Sequence, residues 1–499
     1  MPHIISRLGA GGTPALAVAG GFGPHTFPKP LPYPSLVPAA WHRRYDSVIR
    51  PTFGFLPPHL SLDQEPWITP PLSGLGLHHD LPPRAVSVTT TATPVNAGYD
   101  VAFNNGAWVA NAQNSVALTY SNAGDLYIWV QDEYGESTVG IASGTVVDYA
   151  SPDGVPISAP AEFQMPVIVA SGTGYWVAAR ALVHDALRDI FRIVLFEVTR
   201  PVKAWTTTQP YASSGSEGDA RPSVAVTASD QRPIVAYHGT IGGATANSVL
   251  LWDPQNDVPV EIGPPSTTQE CILASVSAGA GLVAVAFETK DTTTTGDPLG
   301  TYAWVATESA AGVDISAANG PTLVAGKVNE SDTTTRQAWD PSVVVLATGD
   351  VVVAWQQKDR DGGCYIWNTR STDQGRTWPA ASAQTQTTEA LSTGSVANVH
   401  YFAAMAANGD QIGVIAEARQ DFGNTTPPSQ LVQVGGGTGL ALPSTADPAW
   451  DPSDAVARAT GSPSFPTLAY GENYWWQAWI WTDTATLATS IELSWDLRL

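Results

Sequence analysis

The sequence predicts an all-β fold assembled from one repeated supersecondary unit. The unit is an apolar strand, a tight turn rich in Gly, Asn or Asp, and a second apolar strand that often ends in Trp. Val-rich strands joined by turns of this chemistry are typical of β-hairpins. The unit recurs about every 50–70 residues, a spacing that four-stranded sheets with long outer loops would fill. Together these observations predict a single β-propeller of about seven four-stranded blades, with six or eight blades as alternatives.

The repeated hairpins can be placed along the chain. They lie at 115–130, 166–180, 222–237, 271–287, 341–355, 401–418 and 465–481. The first is ambiguous, because residues 99–111 form another candidate hairpin just upstream. These two stretches are either halves of one blade or parts of two. Near-continuous apolar runs such as VVVAW suit inner strands that neighbouring blades cover on both faces.

The two ends of the repeated region are predicted to pair with each other. VSVTTTATPV (86–95) is a strand candidate by its Val and Thr content, and SIELSWDLRL (490–499) ends as a strand. Pairing them in the last blade would hide two sheet edges. We therefore predict that residues 86–499 form the propeller.

Residues 1–85 differ from the rest in composition and charge. Their net charge is +2, against −24 for the remainder, and prolines punctuate them, as in FPKPLPYPSLVP (27–38). Such a segment is extended and polyproline-like. We interpret it as an arm that lies on a partner, or alternatively on its own domain. The predicted docking residues are Phe27, Pro28, Pro30, Pro32, Tyr33, Trp41, Arg43, Arg44, Phe53 and Trp67.

Composition disfavours several functional classes. A net charge of −22 repels nucleic-acid phosphates. No run of about 18 apolar residues is present, so no membrane span is expected.

Cys271 and Cys364 each lie in an apolar strand-like run, which favours buried free thiols. The N-terminal LGAGGTPALAVAGG is too rich in Gly, and broken by Pro14, to suit a signal peptide. We expect no cofactor and no metal.

One motif carries a family resemblance. Ser371-Thr372-Asp373-Gln374-Gly375-Arg376-Thr377-Trp378 follows the strand-like run CYIWNTR. Asp373 can accept backbone hydrogen bonds, and Gly375 can adopt positive φ. The pattern resembles the Asp-box of sialidase-like propellers, a folding device on the outer hairpin of a blade. The resemblance implies structural roles for Ser371, Asp373, Gly375, Thr377 and Trp378.

The resemblance also implies a candidate catalytic set. Sialidases of this fold clamp a substrate carboxylate with three arginines, and they use a Tyr–Glu nucleophile pair and an Asp acid/base. The residues that could supply the clamp and the pair here are Arg221, Arg336, Arg419, Glu417 and Tyr470. The family's first arginine lies in an F/Y-R-I-P motif, and the nearest stretch, FRIV (191–194), lacks the proline. The alternative role for Arg221 and Arg336 is that of surface charges beside strands.

From these observations we expect a structural protein of a viral particle rather than an enzyme. In general look the chain resembles virion proteins of tailed phages, which are made in the host cytoplasm. The propeller would face outward from capsid or tail, in many copies, with the arm docked on other virion proteins. Host-surface glycans are a candidate ligand, because YWWQAWIW (474–481) can stack on sugar rings; alternatively these tryptophans fill the spaces between blades. A sialidase-type glycoside hydrolase or a secreted carbohydrate-binding propeller is the alternative function.

Overall fold

The structure is a computed structural model of the 499-residue chain. The residues that it describes are 84–86, 107–111, 115–122, 124–132, 135–141, 145–150, 156–172, 174–184, 189–200, 204, 206–207, 211–212, 221–239, 247–254, 259–264, 269–291, 298–326, 337–358, 364–380, 384–386, 399–419, 430–435, 462–471, 474–482 and 489–496. The predicted docking residues of the arm, and Arg336, lie outside these ranges.

The first three sheets are antiparallel. Sheet 1 contains β2 (Ala107–Asn111), β3 (Ser115–Asn122), β4 (Asp125–Asp132) and β5 (Gly135–Ile141). Sheet 2 contains β6 (Thr145–Ala150), β7 (Pro156–Ser171), β8 (Gly174–His184), β9 (Asp189–Thr199), β10 (Thr206–Thr207) and β11 (Tyr211–Ala212). Sheet 3 contains β12 (Ser223–Val226), β13 (Pro233–Gly239), β14 (Ser248–Trp252) and β15 (Val260–Gly263).

The next two sheets follow the same plan. Sheet 4 contains β16 (Gln269–Gly279), β17 (Leu282–Asp291), β18 (Pro298–Ser309), β19 (Gly312–Val313) and β20 (Asn319–Gly326), with a 3₁₀ helix at Ile315–Ala317. Sheet 5 contains β21 (Ala338–Val345), β22 (Val351–Lys358), β23 (Cys364–Ser371) and β24 (Thr385–Gln386).

Sheet 6 contains β25 (Val399–Asn408), β26 (Gln411–Arg419) and β27 (Gln430–Gly435). Sheet 7 contains β28 (Ser462–Gly471), β29 (Tyr474–Thr482), β30 (Thr489–Asp496) and β1 (Arg84–Val86). A single parallel pairing, between Cys364 and Val399, links sheets 5 and 6.

The inner strands of the sheets touch one another in a closed ring. Around the ring they are β2, β7, β12, β16, β21, β25 and β28, and β28 in turn contacts β2. Within the described residues, seven sheets therefore surround one axis. The chain is an all-β propeller, as the sequence predicts, and this number of sheets is consistent with the expected blade count. Strands β2, β3 and β4 lie in one sheet, so the two ambiguous stretches at the start belong to one blade.

Apolar side chains fill the spaces between neighbouring sheets. Sheets 1 and 2 share a cluster around Phe163 and Phe196, whose rings meet edge to face at 5.3 Å. Trp252, Trp304, Trp355 and Trp479 each belong to a cluster formed between two adjacent sheets. Burial on both faces explains why these strands read as nearly continuous apolar runs. Trp479, from the Trp-rich run 474–481, is 1% exposed and fills such a space.

The ring closes through a strand from the N-terminal part of the described chain. Arg84, Ala85 and Val86 pair with Leu493, Glu492 and Ile491. The closing strand thus begins two residues before the boundary at 85/86 that the sequence predicts. The remainder of the predicted strand 86–95 lies outside the described residues.

Two further sequence-based expectations concern single residues and spans. Cys271 and Cys364 are both buried and are not joined in a disulfide. In the part of the chain that the structure describes, no helix is long and apolar enough to cross a membrane.

Candidate functional site

Among the described residues, five inner strands contain an extra residue, at the part of the hairpin away from its turn. The ladders shift between Gln164 and Val167, Ile272 and Ala274, Trp339 and Ser342, Tyr401 and Ala404, and Ser464 and Thr467. Such β-bulges redirect side chains and interrupt the ladder, and they are common beside active sites. Because the bulges recur at one end of the ring of sheets, this end is the candidate functional site.

Backbone strain marks three of these bulges. Met165, Leu273 and Asp340 have φ angles of 50°, 47° and 51°. A residue with a side chain is uncommon in this left-handed region, and holding it there costs on the order of 1–3 kcal/mol. All three residues are half-buried. The fold therefore holds a strained and partly accessible residue at equivalent places in sheets 2, 4 and 5.

Serine hydroxyls connect the inner strands and establish their alignment. Ser275 Oγ accepts a hydrogen bond from Val343 N (3.3 Å), and Ser277 Oγ accepts one from Val345 N (3.1 Å). A step of two residues along β16 corresponds to a step of two in the same direction along β21, so these strands run parallel. The same contact recurs from Ser223 to Val276 N (3.0 Å) and from Ser342 to Met405 N (3.3 Å).

The serine contacts identify equivalent residues in successive sheets. Ser223, Ser275, Ser342 and Ala404 are equivalent because each serine contacts the residue that follows its counterpart in the next sheet. By the same alignment, the residue two positions before each of them is the bulge residue. In sheet 3, where the ladder between β12 and β13 has no bulge, this position is that of Arg221. We call the resulting set the bulge ring: it consists of Met165, Arg221, Leu273, Asp340, Phe402 and Phe465.

A second repeated position lies behind the bulges, on the second strand of each sheet. Ala178, Ala236, Ala286, Ala354 and Ile415 pair with the equivalent inner-strand residues. In sheets 2 to 6, the side chain two residues further along is polar and no more than 7% exposed. This second-strand position is occupied by Arg180, His238, Glu288, Gln356 and Glu417. Buried polar side chains require hydrogen-bonding partners, so each of these side chains needs a contact within the fold.

Glu288 uses this position to contact the backbone of the next sheet. Its Oε2 accepts a hydrogen bond of 2.9 Å from the backbone N–H of Asp340, the bulge residue of the next sheet. Burial raises the pKa of Glu288 to about 8, and the charge of Asp340 contributes in the same direction. Glu288 therefore retains its proton at neutral pH, directly behind a half-buried aspartate. Two neighbouring carboxyl groups in such different environments are the arrangement that acid–base chemistry uses.

Other side chains at this end of the ring are apolar, aromatic or cationic. Trp339 precedes Asp340 in β21 and is half-buried. Arg180 Nε donates to Gln164 Oε1 (3.0 Å), and its guanidinium lies 4.9 Å from the centre of the Phe191 ring. No cluster of three or more potential metal ligands occurs among the residues that the structure describes.

Of the arginines proposed from the sequence, Arg221 and Arg419 lie at this end. Arg221 is half-buried, belongs to the bulge ring and immediately precedes Pro222 and β12. Arg419 pairs with Val399 at the end of β26 away from its hairpin turn, which is the bulge end. Arg192, in the FRIV stretch, lies on β9, the third strand of its sheet, and not on an inner strand.

The register separates the proposed pair of Glu417 and Tyr470. Glu417 pairs with Tyr401 at the bulge end of its hairpin. Tyr470 pairs with Trp475, one position from the β28–β29 turn, which is the opposite end. At about 3.3 Å per residue, the two lie roughly 20 Å apart along the strands. The structure therefore does not bring them together as a nucleophile and its activator.

The Asp-box lies far from this site, between the third and fourth strands of sheet 5. Asp373 Oδ1 accepts from Ser371 Oγ (2.8 Å) and Thr377 N (2.9 Å), and Oδ2 accepts from Thr377 Oγ1 (2.7 Å). These bonds lower the pKa of Asp373 to about 2. Gly375, at φ 79°, packs against Val305 of sheet 4, and Trp378 packs on the cluster between the two sheets. The Asp-box therefore packs sheet 5 against sheet 4.

Asp340 and Glu288 are not among the residues predicted from the sequence, although the sequence contains a signal for the bulges. Four of the repeated stretches contain a proline directly after the bulge-ring position, in MPV, RPS, DPS and FPT, at Pro166, Pro222, Pro341 and Pro466. Proline cannot donate to a ladder and is tolerated within sheets at bulges. Aligning these prolines would have placed Asp340 and Arg221 at equivalent positions.

No family model and no curated protein matches the sequence. A protein of unknown function from Dyadobacter fermentans is 11% identical with a TM-score of 0.41, over 71% of this chain and 96% of its own. An α-L-arabinanase of Penicillium chrysogenum, solved with arabinobiose, is 12% identical with a TM-score of 0.40, over 83% and 99%. A Trypanosoma rangeli sialidase is 10% identical with a TM-score of 0.37, over 71% and 58%. Likeness at this level carries no argument about activity.

Proposed function

We propose that the chain is a glycoside hydrolase whose reaction takes place at the bulge ring. The observation that carries the proposal is the carboxyl pair: Asp340 on a strained, half-buried bulge, and Glu288 directly behind it. Perturbed carboxyl groups of this kind cluster at catalytic sites. This proposal departs from the expectation of a structural protein without activity.

The roles of the two carboxyl groups follow from their environments. Hydrolysis breaks the bond between the anomeric carbon and the glycosidic oxygen; a water hydroxyl adds to the carbon, and a proton adds to the leaving oxygen. Asp340 is the group that a ligand at the ring can touch, and we assign it to receive the proton from water. Glu288 keeps a proton up to about pH 8 and is 2% exposed, so we assign its proton to reach the leaving oxygen through an intervening water.

The surroundings of the pair suit a sugar ligand. The half-buried Trp339, in the same bulged strand as Asp340, offers an aromatic side chain at this end of the propeller. Sugars present apolar faces and hydroxyl edges, which aromatic rings and carboxylates recognise respectively. Arg221, at the equivalent position two sheets away, adds a cation that suits an acidic sugar.

Hydrolysis of a panel of fluorogenic glycosides, including a sialoside, tests the proposal. We expect Asp340→Asn to lower kcat by roughly 100-fold or more, because it removes the base. Asp410→Asn is the matched control: Asp410 lies at the turn end, accepts from Thr348 N (3.2 Å) and should leave kcat unchanged. Failure of the wild-type protein to cleave any member would exclude the proposal.

The pH profile tests the assignment of Glu288. Activity of the wild type should fall as pH rises through about 8, where Glu288 loses its proton. Glu288→Gln keeps an acceptor for the Asp340 N–H but has no acidic proton, so kcat should fall and that limb of the profile should disappear. An unchanged profile in this variant would contradict the assignment.

We propose as a second function that residues 1–85 dock the chain on other proteins of a viral particle. The support is the alternation of prolines, aromatic residues and arginines in this segment, together with its opposite net charge. A truncation lacking residues 1–81, which retains the closing strand, should fold but no longer enter particles. Normal incorporation would contradict this role.

A further inference from the structure

We propose that Glu417 is a positioning residue of the bulge ring: its carboxyl group accepts a hydrogen bond from the backbone N–H of Phe465 in sheet 7. The proposal adds a residue to the site described above. It rests on the proposed function only where a role in catalysis is concerned, because the experiment that tests it measures the exchange of a backbone amide.

The first step is the equivalence of Glu417 and Glu288. Ala286 pairs with Ser275, and Ile415 pairs with Ala404, two inner-strand residues that the serine contacts make equivalent. Glu288 and Glu417 each lie two residues further along the second strand. Both are buried, at 2% and 0% exposure.

The second step is the direction of the side chain. Ile415 packs with Leu468 and Trp479 of sheet 7, whereas Val414 and Ala416 pack in the cluster between sheets 5 and 6. Side chains alternate between the faces of a strand, so Glu417 shares the face of Ile415 and is directed toward sheet 7. Glu288 likewise shares the face of Ala284 and Ala286, which pack against sheet 5.

The third step is the group that receives the side chain. The β28 ladder shifts between Ser464 and Thr467, as the β21 ladder shifts between Trp339 and Ser342. In both bulges the second of the two intervening residues is proline, Pro466 or Pro341, which has no N–H. In β21 the N–H of the first residue, Asp340, donates to Glu288. The equivalent N–H in β28 belongs to Phe465.

The consequence is that sheet 6 shapes the bulge of sheet 7, as sheet 4 shapes that of sheet 5. A buried acceptor behind the bulge satisfies a backbone group that the interrupted ladder leaves over. It thereby holds the backbone of one segment of the ring in place. Any side chain of sheet 7 that a ligand meets at this end depends on that contact.

Hydrogen–deuterium exchange of the full chain, with fragmentation that isolates the amide of Phe465, tests the proposal. In Glu417→Ala we expect this amide to exchange roughly tenfold faster, because its acceptor is lost. Glu417→Gln keeps an acceptor oxygen and should restore slow exchange. Glu197→Ala, at a half-exposed glutamate on β9, is the control that should change nothing.

Three results would overturn the proposal: unchanged exchange at Phe465 in a folded Glu417→Ala, faster exchange spread evenly over every sheet, or no rescue by Gln. If Glu417→Ala does not fold, Glu417→Asp takes its place, since it withdraws the carboxyl group by one methylene and should give intermediate exchange. The readout needs no substrate, so absence of hydrolysis would count against the proposed function and not against the role of Glu417.

Discussion

At the scale of single residues, the carboxyl groups of this protein fall into two contrasting kinds. Asp373 accepts three hydrogen bonds within the Asp-box, and its pKa is lowered to about 2. Glu288 is buried beside another carboxylate, and its pKa is raised to about 8. The first arrangement favours the charged form and holds a turn. The second disfavours the charged form, so Glu288 keeps its proton behind the bulge ring.

Glu288 should make stability depend on pH. An unfolded Glu ionises near pH 4.5, whereas the folded one ionises near 8, so between these values the native state binds more protons. Stability from this source is complete below about pH 4.5 and is lost as pH rises to about 8, by roughly 1.4 kcal/mol per unit of pKa difference at most. Urea unfolding of Glu288→Gln should therefore show a shallower fall across this range than the wild type. Equal slopes in the two proteins would contradict the raised pKa.

Gly375→Ala tests the role of the Asp-box in packing. A Cβ there would lie 2.4 Å from Val305 Cγ2, and the backbone has a φ of 79°. We expect a loss of about 2–4 kcal/mol in thermal or urea unfolding from the combined clash and strain. Gly172→Ala is a matched control, because its φ is also positive (51°) but nothing lies within 4 Å of its Cβ position. Equal losses in both variants would show that only backbone strain matters.

At the scale of elements, the inner strands are joined by side chains because ladder hydrogen bonds do not connect them. An inner strand has one edge without a ladder partner, and its N–H groups there need acceptors. Ser223, Ser275 and Ser342 supply these acceptors to the next inner strand at equivalent positions.

Replacing a ring serine tests this connection. Ser275→Ala should lower stability by about 1 kcal/mol and speed exchange of the Val343 amide, because Oγ is its acceptor. Ser275→Cys, with a longer and weaker acceptor, should give a smaller protection than the wild type. Ser316→Ala is the control, since Ser316 lies on the exposed 3₁₀ helix and bonds only locally to Asp314 (2.7 Å). An unaltered Val343 amide in Ser275→Ala would refute the connection.

At the scale of the whole molecule, the ring depends on pairing between distant parts of the chain. Residues 84–86 complete the sheet that begins at Ser462. Closing a ring in this way leaves no exposed edge on β30 at these positions, and unpaired edges promote aggregation. The closure is short, with three paired residues, yet it joins the first and last described strands.

Two truncations separate the arm from the closure. Removal of residues 1–81 leaves Arg84–Val86 in place and should keep the melting temperature of the propeller close to that of the full chain. Removal of residues 1–88 deletes the closing strand, so the melting temperature should fall and aggregation should increase, because β30 then has a free edge. Identical behaviour of the two truncated proteins, in melting and light scattering, would mean that the strand does not hold the ring.

The hairpins could be predicted from the sequence because their signals are local. Five of the predicted stretches are the first two strands of a sheet, and Gly375 and Asp373 occupy the turn that the Asp-box pattern indicates. Apolar alternation, turn residues and strand length are all encoded within about 20 residues. The all-β class and the outer-turn role of the box therefore follow from the chain itself.

The candidate site could not be predicted in the same way because it depends on register between sheets. Glu288 and Asp340 are 52 residues apart, and they meet only because β16 and β21 align through their serines. The same register places Glu417 and Tyr470, which look suitable as a pair in the sequence, at opposite ends of their hairpins. The sequence by itself determined the repeated strands and turns. The tertiary structure decided which polar groups meet at the ring, since burial and alignment across the spaces between sheets are properties of the assembled fold.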